Sequence, residues 1–301
     1  HWWNPVINAS DANPYGTYYW RNGNQVTDPL RGDDSELIMN QALRFISSRA
    51  TAEQPFFSVI WFHAPHLPVV ASKKDRAGFQ KYDAFKQHYL GSLVALDRQV
   101  SRLRKELSRL KVADNTILFY CSDNGPEGKP NAPGTAGKLR GRKRSLYEGG
   151  IRVPGLVVWP GHVSAGSVTE MPASTSDYLP TILDILKIPM PDERPLDGVS
   201  LLPVFSRPMT NRTQGIGFES GTQAAWVQNR YKLYTKGIAS RKDTDKPPKR
   251  GKSLAYELYD LQLDPHESRN LALTEPATLK AMAAKLSAWR ASCYQSLSSG
   301  P

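Results

Sequence analysis

The sequence has few cysteines and no long apolar run. Only Cys121 and Cys293 are present, so a disulfide framework is excluded, and Cys121 is expected to be a small buried hydrophobe. No stretch approaches the roughly eighteen consecutive apolar residues that a membrane-spanning helix needs. There is no N-terminal Met and no signal-peptide pattern, and the opening His1-Trp2-Trp3 suggests a processed, cleaved or truncated product.

Several motifs that mark common activities are also missing. The sequence contains no Walker A loop, no dinucleotide-binding glycine fingerprint, no Gly-x-Ser-x-Gly elbow and no His-Glu-x-x-His. Basic residues do not interleave with aromatic residues as they do in RNA-binding proteins, so nucleic acid is not expected as a partner.

Charge of one sign is in excess. The chain has 39 Lys and Arg against 28 Asp and Glu, a net charge of +11. Nucleic acid and a sulfated or carboxylated glycan would both fit that charge, and so would a generally basic surface without a specific partner. Part of the excess lies in residues 241–252, whose composition predicts a solvated loop.

Apolar periodicity predicts alternating helices and strands, and this order is typical of an α/β layered domain. Residues 116–121 are expected to form a buried parallel strand because the run is apolar, rich in β-formers and bounded by turn residues. The predicted elements are a helix over about 35–48, a strand over 56–63, a long amphipathic helix over 82–110, strands over 116–121 and 156–159, and a helix over 176–186.

The C-terminal part has a different pattern. Residues 189–215 are rich in proline and predict a domain boundary, and the segments AAWVQNRYKLYT and LAYELYDL beyond it predict antiparallel strands. A final helix is expected from about residue 275 to 294. The sequence therefore predicts a catalytic domain over 1–210 and a small α+β subdomain over 211–301.

Polar groups suited to a hard cation follow the strand over 116–121. Asp123 and Asn124 offer two oxygen donors at the point where the strand gives way to a glycine-rich loop. Such donors suit Ca²⁺ or Mg²⁺, and nothing nearby supplies the thiolates or paired histidines that zinc prefers. Asp-Asn-Gly is also common turn chemistry after a strand, so the tripeptide alone leaves both interpretations open.

A basic loop follows on the way to the next strand. Lys143 lies in the run Leu-Arg-Gly-Arg-Lys-Arg, which precedes Glu148-Gly149-Gly150. A lysine above a cation site would bind sulfate or phosphate and stabilise developing charge. A solvated charge run is the alternative interpretation.

Two histidines follow the predicted strand over 56–63. His66 lies between Pro65 and Pro68, and His63 precedes the same prolines. Either histidine could donate to an anion or protonate a leaving oxygen, or could be a structural hydrogen-bonding group. From the residues alone we expect an α/β hydrolase-like domain with a cation-plus-anion site and no visible nucleophile.

Four stretches together resemble one enzyme family. The segments PFFSVIWFHAPHLP, NTILFYCSDNG, LRGRKRSLYEGGIRVPGLVVWPG and ELYDLQLDPHESRNLA, in this order and spacing, resemble the type I formylglycine-dependent sulfatases. The likeness runs from about residue 34 to 290.

The resemblance implies a fold and a reaction. The fold would be an α/β, alkaline-phosphatase-like mixed sheet between helices, with a small C-terminal subdomain of antiparallel sheet plus helix. The reaction would be hydrolysis of a sulfate ester with bound Ca²⁺, Mg²⁺ being the less favoured ion. By motif position, Asp123 and Asn124 would be calcium ligands, Lys143 would contact the sulfate and the ester oxygen, and His66 would assist the leaving group.

The expected substrate is a sulfated carbohydrate. His63, Arg140, Arg142 and Arg144 are the predicted substrate-binding residues, the arginines contacting further sulfates on a polyanionic glycan. A secreted, periplasmic or lysosomal-type compartment is expected from the resemblance. Two alternatives stay open: a non-catalytic glycan-binding protein on the same scaffold, and a phosphodiester or phosphonate ester hydrolase of the same superfamily.

The sequence departs from the family in one large respect. The family's N-terminal aspartate pair and its Cys/Ser-x-Pro-x-Arg motif, whose first residue becomes the formylglycine nucleophile, do not occur here. The chain therefore resembles the C-terminal portion of a sulfatase, and the nucleophile is expected from residues outside it. Without that segment, exposed sheet edges and apolar faces predict a poorly soluble and inactive chain.

Overall fold

The computed structural model describes residues 2–3, 19–27, 30, 32–128, 131–190, 192, 194–207, 209–238 and 255–298. The chain divides into two compact units, His1–Ile117 and Leu118–Pro301. The domain division at residue 210 stays a prediction. Among the helices that lie in the described ranges, none is both long and apolar enough to cross a bilayer.

The first unit is mainly helical. A small antiparallel sheet has the strand order β1-β2-β3. The elements of this unit are β1 (Trp2–Trp3), β2 (Trp20–Arg21), β3 (Asn24–Gln25), α1 (Asp34–Thr51), α2 (Lys73–Arg76), a 3-10 turn (Ala77–Phe79), α3 (Ala84–Arg109) and a second 3-10 turn (Ala113–Asn115).

Helices α1 and α3 confirm the two helices predicted for this part of the chain. Asp33 caps α1 by accepting a hydrogen bond from the backbone of Ser35 at 2.9 Å, which satisfies one of the unpaired N–H groups of the first turn. The two helices pack together and are joined by polar contacts. Arg102 of α3 donates to Asn40 of α1 at 2.7 Å.

The predicted strand over residues 56–63 is wrong as a strand. Its backbone is not part of a ladder among the described residues, since a strand needs a hydrogen-bonding partner and none of them supplies one. The side chains of this segment nevertheless alternate between packed and exposed, as they do in an extended chain. Ile60 and Phe62 pack against Tyr19 and Ile38, whereas Trp61 between them is 83% exposed.

The second unit contains the remaining elements. They are β4 (Leu118–Cys121), α4 (Glu148–Ile151), β5 (Gly155–Val158), a 3-10 turn (Thr175–Asp177), α5 (Tyr178–Leu186), α6 (Leu202–Ser206), β6 (Ile216–Ser220), β7 (Gln223–Gln228), β8 (Tyr231–Lys236), β9 (Tyr256–Asp260) and α7 (Pro276–Ser298). The predicted helix over 176–186 is thus confirmed, as a 3-10 turn that continues into α5.

Strands β4 and β5 correct the expectation of a buried parallel strand. They pair with each other and run antiparallel, with Leu118 opposite Val158 and Cys121 opposite Gly155. A parallel pair needs a crossover, usually a long helix, whereas the connection here contains only the short α4. Because the described residues provide no third strand beside them, both strands are half-buried or exposed, Cys121 included.

The C-terminal sheet confirms the predicted antiparallel strands and final helix. Its strand order is β6-β7-β8-β9, all antiparallel. Helix α7 covers one face, where Leu286 packs with Trp226, Leu233 and Leu258 in an apolar core. The basic loop predicted between β8 and β9, residues 241–252, lies outside the described residues.

A buried charge cluster joins three distant parts of the second unit. Lys232 of β8 is fully buried and contacts Glu148 of α4 at 3.0 Å and Glu267 at 2.9 Å. The second oxygen of Glu267 accepts a hydrogen bond from the backbone N–H of Glu148 at 2.6 Å. Burial raises the pKa of Glu267, and the charge of Lys232 opposes that rise. The cluster fixes α4 and the segment around Glu267 to the C-terminal sheet.

A second buried ion pair connects α5 with the sheet. Arg212, just before β6, donates two hydrogen bonds of 2.9 Å to the carboxylate of Asp177, and both side chains are fully buried. Asp177 also accepts from the backbone of Ser174 and Val199. Every oxygen of this carboxylate is therefore used, which is the condition for a buried charge to be tolerated.

We expect Lys232→Met to lower the free energy of unfolding by about 3–5 kcal/mol near pH 8, because two buried carboxylates would lose their cation. The raised folded-state pKa of Glu267 would make this loss grow as the pH rises from about 5 to 8. Urea unfolding at several pH values measures it. Lys236→Met, at an exposed position of the same strand, is the control, with a change within about 0.5 kcal/mol. Equal effects of the two substitutions would contradict this account.

Gly217→Ala tests the packing of α7 on the sheet. A Cβ at Gly217 of β6 would overlap the indole ring of Trp289, which is held by its hydrogen bond to Asp197. Such overpacking is expected to cost about 1–3 kcal/mol in urea unfolding. At Gly155 of β5 a Cβ meets no atom within 4 Å, so Gly155→Ala should leave stability unchanged or slightly higher. A harmless Gly217→Ala would show that Trp289 is free to move.

Candidate functional site

The predicted cation ligands lie directly after β4. Asp123 is exposed, and Asn124 is half-buried. The amide nitrogen of Asn124 donates to the carbonyl of Gly125 at 3.0 Å, which orients the amide and leaves its oxygen available. The two residues thus present a carboxylate and an amide oxygen at the end of one strand.

Close backbone packing holds this turn against the loop that follows it. The N–H of Gly125 donates to the carbonyl of Gly150 at 2.9 Å. A Cβ on Gly125 would overlap the carbonyl oxygen of Gly149, and a Cβ on Gly150 would overlap that of Ser145. Only glycine permits such an approach, so the Asp-Asn-Gly turn and the Glu-Gly-Gly turn depend on each other.

Lys143 is brought to the same place. Its backbone N–H donates to the carbonyl of Pro126 at 2.9 Å, and the carbonyl of Lys143 packs against Gly128. Its side chain is half-buried and forms no ion pair with a carboxylate among the described residues. The structure therefore brings the segment of Asp123 and Asn124 together with that of Lys143, and leaves the ammonium available to an anion.

Arg140 anchors the loop to the C-terminal sheet. Its guanidinium donates to the hydroxyl of Tyr259 at 2.8 Å and to the carbonyl of Glu267 at 3.1 Å. It also stacks over the ring of Tyr147, 3.8 Å from the ring centre, and lies 3.7 Å from the carboxylate of Glu257. These contacts give Arg140 a structural role, and substrate binding by Arg140 stays a prediction.

The other two arginines bind the loop itself. Arg142 donates to the carbonyls of Glu127 at 2.8 Å and of Gly134 at 3.2 Å. Arg144 is exposed and forms an ion pair with the carboxylate of Glu127. Both side chains thus brace the glycine-rich stretch, and their predicted contacts with a glycan stay predictions.

The two predicted histidines belong to the first unit, on one turn. The backbone N–H of His66 donates to the carbonyl of His63 at 2.7 Å. The ring of His66 is exposed, with its Nδ1 2.5 Å from the carbonyl of Leu67. The ring of His63 is held differently, because its Nδ1 lies 3.2 Å from a carboxylate oxygen of Asp34.

Sequence reasoning missed Asp34 and Tyr19. In the sequence, Asp34 is one of three successive residues of helix-capping type, Asp33, Asp34 and Ser35. In the structure its carboxylate is buried and accepts a hydrogen bond from the hydroxyl of Tyr19 as well as facing His63. The adjacent Asp33 is the true cap, and burial raises the pKa of that carboxyl to about 6. The only sign of this role in the sequence is a pair of aspartates at the start of a predicted helix.

The donor set after β4 is suited to a hard cation and is incomplete. Its oxygens are those that Ca²⁺ prefers, but Ca²⁺ takes about six to eight ligands. Within the described ranges, no group of three or more His, Cys, Asp or Glu side chains could hold a metal ion. Asp123 and Asn124 fit part of such a site and need further ligands.

The second unit therefore carries a lysine and a pair of oxygen donors on adjoining segments of its chain. These segments are packed together at their glycines, and a positive charge beside oxygen donors is suited to a negatively charged ester. Among the described residues of this unit we assign no nucleophile.

The comparisons with known proteins agree on one family. Residues 2–188 match the model of the Sulfatase family, which is more than half of the chain. N-acetylgalactosamine-6-sulfatase of Sus scrofa is 30% identical over 202 residues, covering 66% of this chain and 38% of that protein. Arylsulfatase A of Homo sapiens is 32% identical over 235 residues, covering 73% and 45%. The chain thus spans less than half the length of these relatives.

Solved structures agree in fold. The crystal structure of Ps i-CgsB in complex with k-i-k-neocarrahexaose superposes with a TM-score of 0.76 at 26% identity, covering 91% of this chain and 58% of that one. PsFucS1 sulfatase from Pseudoalteromonas sp. gives a TM-score of 0.72 at 21% identity, covering 91% and 57%. The predicted alkaline-phosphatase-like fold, with its C-terminal antiparallel sheet and helix, is confirmed. The chain belongs to the sulfatase family.

Proposed function

We propose that the protein hydrolyses the sulfate ester of a sulfated carbohydrate. The observation that carries the proposal is the glycine-packed loop, which ties the segment of Asp123 and Asn124 to that of Lys143 through the bond from Lys143 N–H to Pro126. An oxygen-donor pair next to an unpaired ammonium suits a monoanionic ester better than a neutral one.

Each residue has a distinct part in this proposal. Asp123 and Asn124 would hold Ca²⁺ together with ligands from outside the described residues. When bound, that ion would neutralise charge on the sulfate group. Lys143 would contact a sulfate oxygen and the ester oxygen, where negative charge develops as the S–O bond breaks.

The leaving group needs a proton. His66 would supply it, because the leaving sugar oxygen is strongly basic and an imidazolium is a suitable acid near neutral pH. The exposed ring of His66 is compatible with contact to a bound ester. The nucleophile would be a formylglycine from residues outside this chain, a group that attacks sulfur as its hydrated form.

A carbohydrate is the favoured substrate class. N-acetylgalactosamine-6-sulfatase is named for a sugar sulfate, and the Ps i-CgsB structure holds a neocarrahexaose. The net charge of +11 would attract a polyanionic glycan and speed its encounter with the protein. We further place the protein in a secreted, periplasmic or lysosomal-type compartment, where such glycans are degraded.

Lys143→Ala is expected to lower kcat/KM for an aryl sulfate at least about 100-fold, because one donor to the developing negative charge is lost. Lys138→Ala is the control, because it removes the same positive charge from an exposed position of the same loop. It should change kcat/KM less than twofold. Sulfate release by the full-length protein is the measurement.

Three results would count against the proposal. Full activity of Lys143→Ala would remove the assigned role. Hydrolysis of phosphate esters in preference to sulfate esters, in parallel assays, would favour the phosphodiesterase alternative, and glycan binding without any hydrolysis would favour the non-catalytic one.

Calcium binding gives an independent test. Titration calorimetry of the metal-free, full-length protein should show Ca²⁺ binding, and Asp123→Ala should weaken it by at least about tenfold through loss of a charged ligand. Asp114→Ala, at an exposed aspartate just before β4, is the control and should bind as the unsubstituted protein does. Unchanged affinity in Asp123→Ala would rule that residue out as a ligand.

A further inference from the structure

We propose that Asp34 and Tyr19 are positioning residues that fix the tautomer of His63, and that His63 thereby recognises a hydroxyl group of the sugar through Nε2. The inference deepens the proposed function, on which its substrate class rests. It assigns roles to three side chains of the first unit, and only His63 had been singled out by sequence.

The geometry leaves little freedom to the carboxylate. Asp34 is 1% exposed, and its two oxygens have separate partners: the hydroxyl of Tyr19 donates to Oδ1, and Nδ1 of His63 lies 3.2 Å from Oδ2. Tyr19 is equally buried, packed with Ile38 and flanked by Phe62. Asp34 also lies in the first turn of α1, where the helix dipole favours negative charge.

This arrangement decides which nitrogen of His63 carries the proton. An ionised carboxylate only accepts hydrogen bonds, so Nδ1 must be the protonated nitrogen in the neutral ring. Nε2 then has a lone pair and accepts. The side chain of His63 is 31% exposed, and Nε2 has no partner among the described residues. A half-exposed ring with one buried end and one open acceptor is suited to a ligand.

A lone pair on Nε2 of His63 favours a hydroxyl group over a sulfate group as its partner. A sulfate group carries only acceptor oxygens and would be repelled by a lone pair, whereas the hydroxyl groups of a sugar ring donate. His66, whose N–H is bonded to the carbonyl of His63, lies on the same turn. The sugar next to a leaving oxygen at His66 would therefore bring its own hydroxyl groups near His63. A substrate that covers the ring but lacks the donor would leave this acceptor unpaired, and such a substrate is disfavoured.

The test uses Asp34→Asn, which keeps the shape but offers an amide N–H₂ to Nδ1. The ring would then favour the Nε2–H tautomer and lose its acceptor, as removal of the orienting carboxylate does in other histidine sites. In ¹⁵N NMR of the full-length protein at pH 8, His63 should show the Nδ1–H tautomer, and Asp34→Asn should reverse it. Asp33→Asn is the matched control, since asparagine caps a helix as well as aspartate does and Asp33 does not touch His63.

Kinetic measurements distinguish a loss of hydroxyl recognition from a general loss of activity. Asp34→Asn should raise KM about 3- to 10-fold for the sulfated sugar that the protein hydrolyses best, the effect of one lost hydrogen bond. It should leave KM for p-nitrophenyl sulfate, which has no hydroxyl, within twofold. If Asp34→Asn does not fold, His63→Asn replaces it, because its amide can still donate to Asp34 while nothing replaces Nε2.

The outcomes are distinct. An Nε2–H tautomer in the unsubstituted protein, or equal KM changes for both substrates, would overturn the inference. If the protein releases no sulfate from any ester, the proposed function fails. In that case two measurements still test the inference: the tautomer of His63, and the calorimetric affinity of the protein for a sulfated monosaccharide. If Asp34→Asn changes neither of them, the inference is wrong.

Discussion

The second unit depends on the burial of one lysine. Lys232 is fully buried, and Glu148 and Glu267 reach its ammonium group from two distant segments. Glu148 begins the Glu-Gly-Gly turn, and that turn packs against the glycine after Asp123 and Asn124. Satisfying one buried charge therefore fixes the C-terminal sheet, α4 and the candidate site in a single arrangement.

This dependence explains how a site loop so rich in glycine is anchored to the rest of the second unit. Ordering glycine costs conformational entropy on folding, and of the loop residues that the structure describes only those of α4 form a regular helix or strand. The loop is held instead by backbone hydrogen bonds at its glycines and by Arg140, which reaches Tyr259 and the carbonyl of Glu267. The arginines that sequence suggested for substrate thus have a clear structural function, whatever else they bind.

Sequence patterns predicted the elements whose structure depends on neighbouring residues alone. Helix α3 begins and ends within two residues of the predicted 82–110, because its apolar spacing is complete within its own sequence. Strand β6 was missed, since a strand with Gly217 and Glu219 is defined by its pairing with β7 and not by its composition. The run over 56–63 shows the reverse error, for its composition is that of a strand and no described residue pairs with it. The role of Asp34 could not be predicted for the same reason, because its partners Tyr19 and His63 are remote in sequence.

The central claim is that the loop after β4 forms the cation-and-sulfate part of a sulfatase site. A crystal structure of the full-length protein with Ca²⁺ and a sulfate ester tests it most directly. We predict an oxygen of Asp123 and the amide oxygen of Asn124 at about 2.3–2.6 Å from the ion, and the ammonium of Lys143 within hydrogen-bonding distance of a sulfate oxygen. An ion or ester bound away from these three residues would contradict the account.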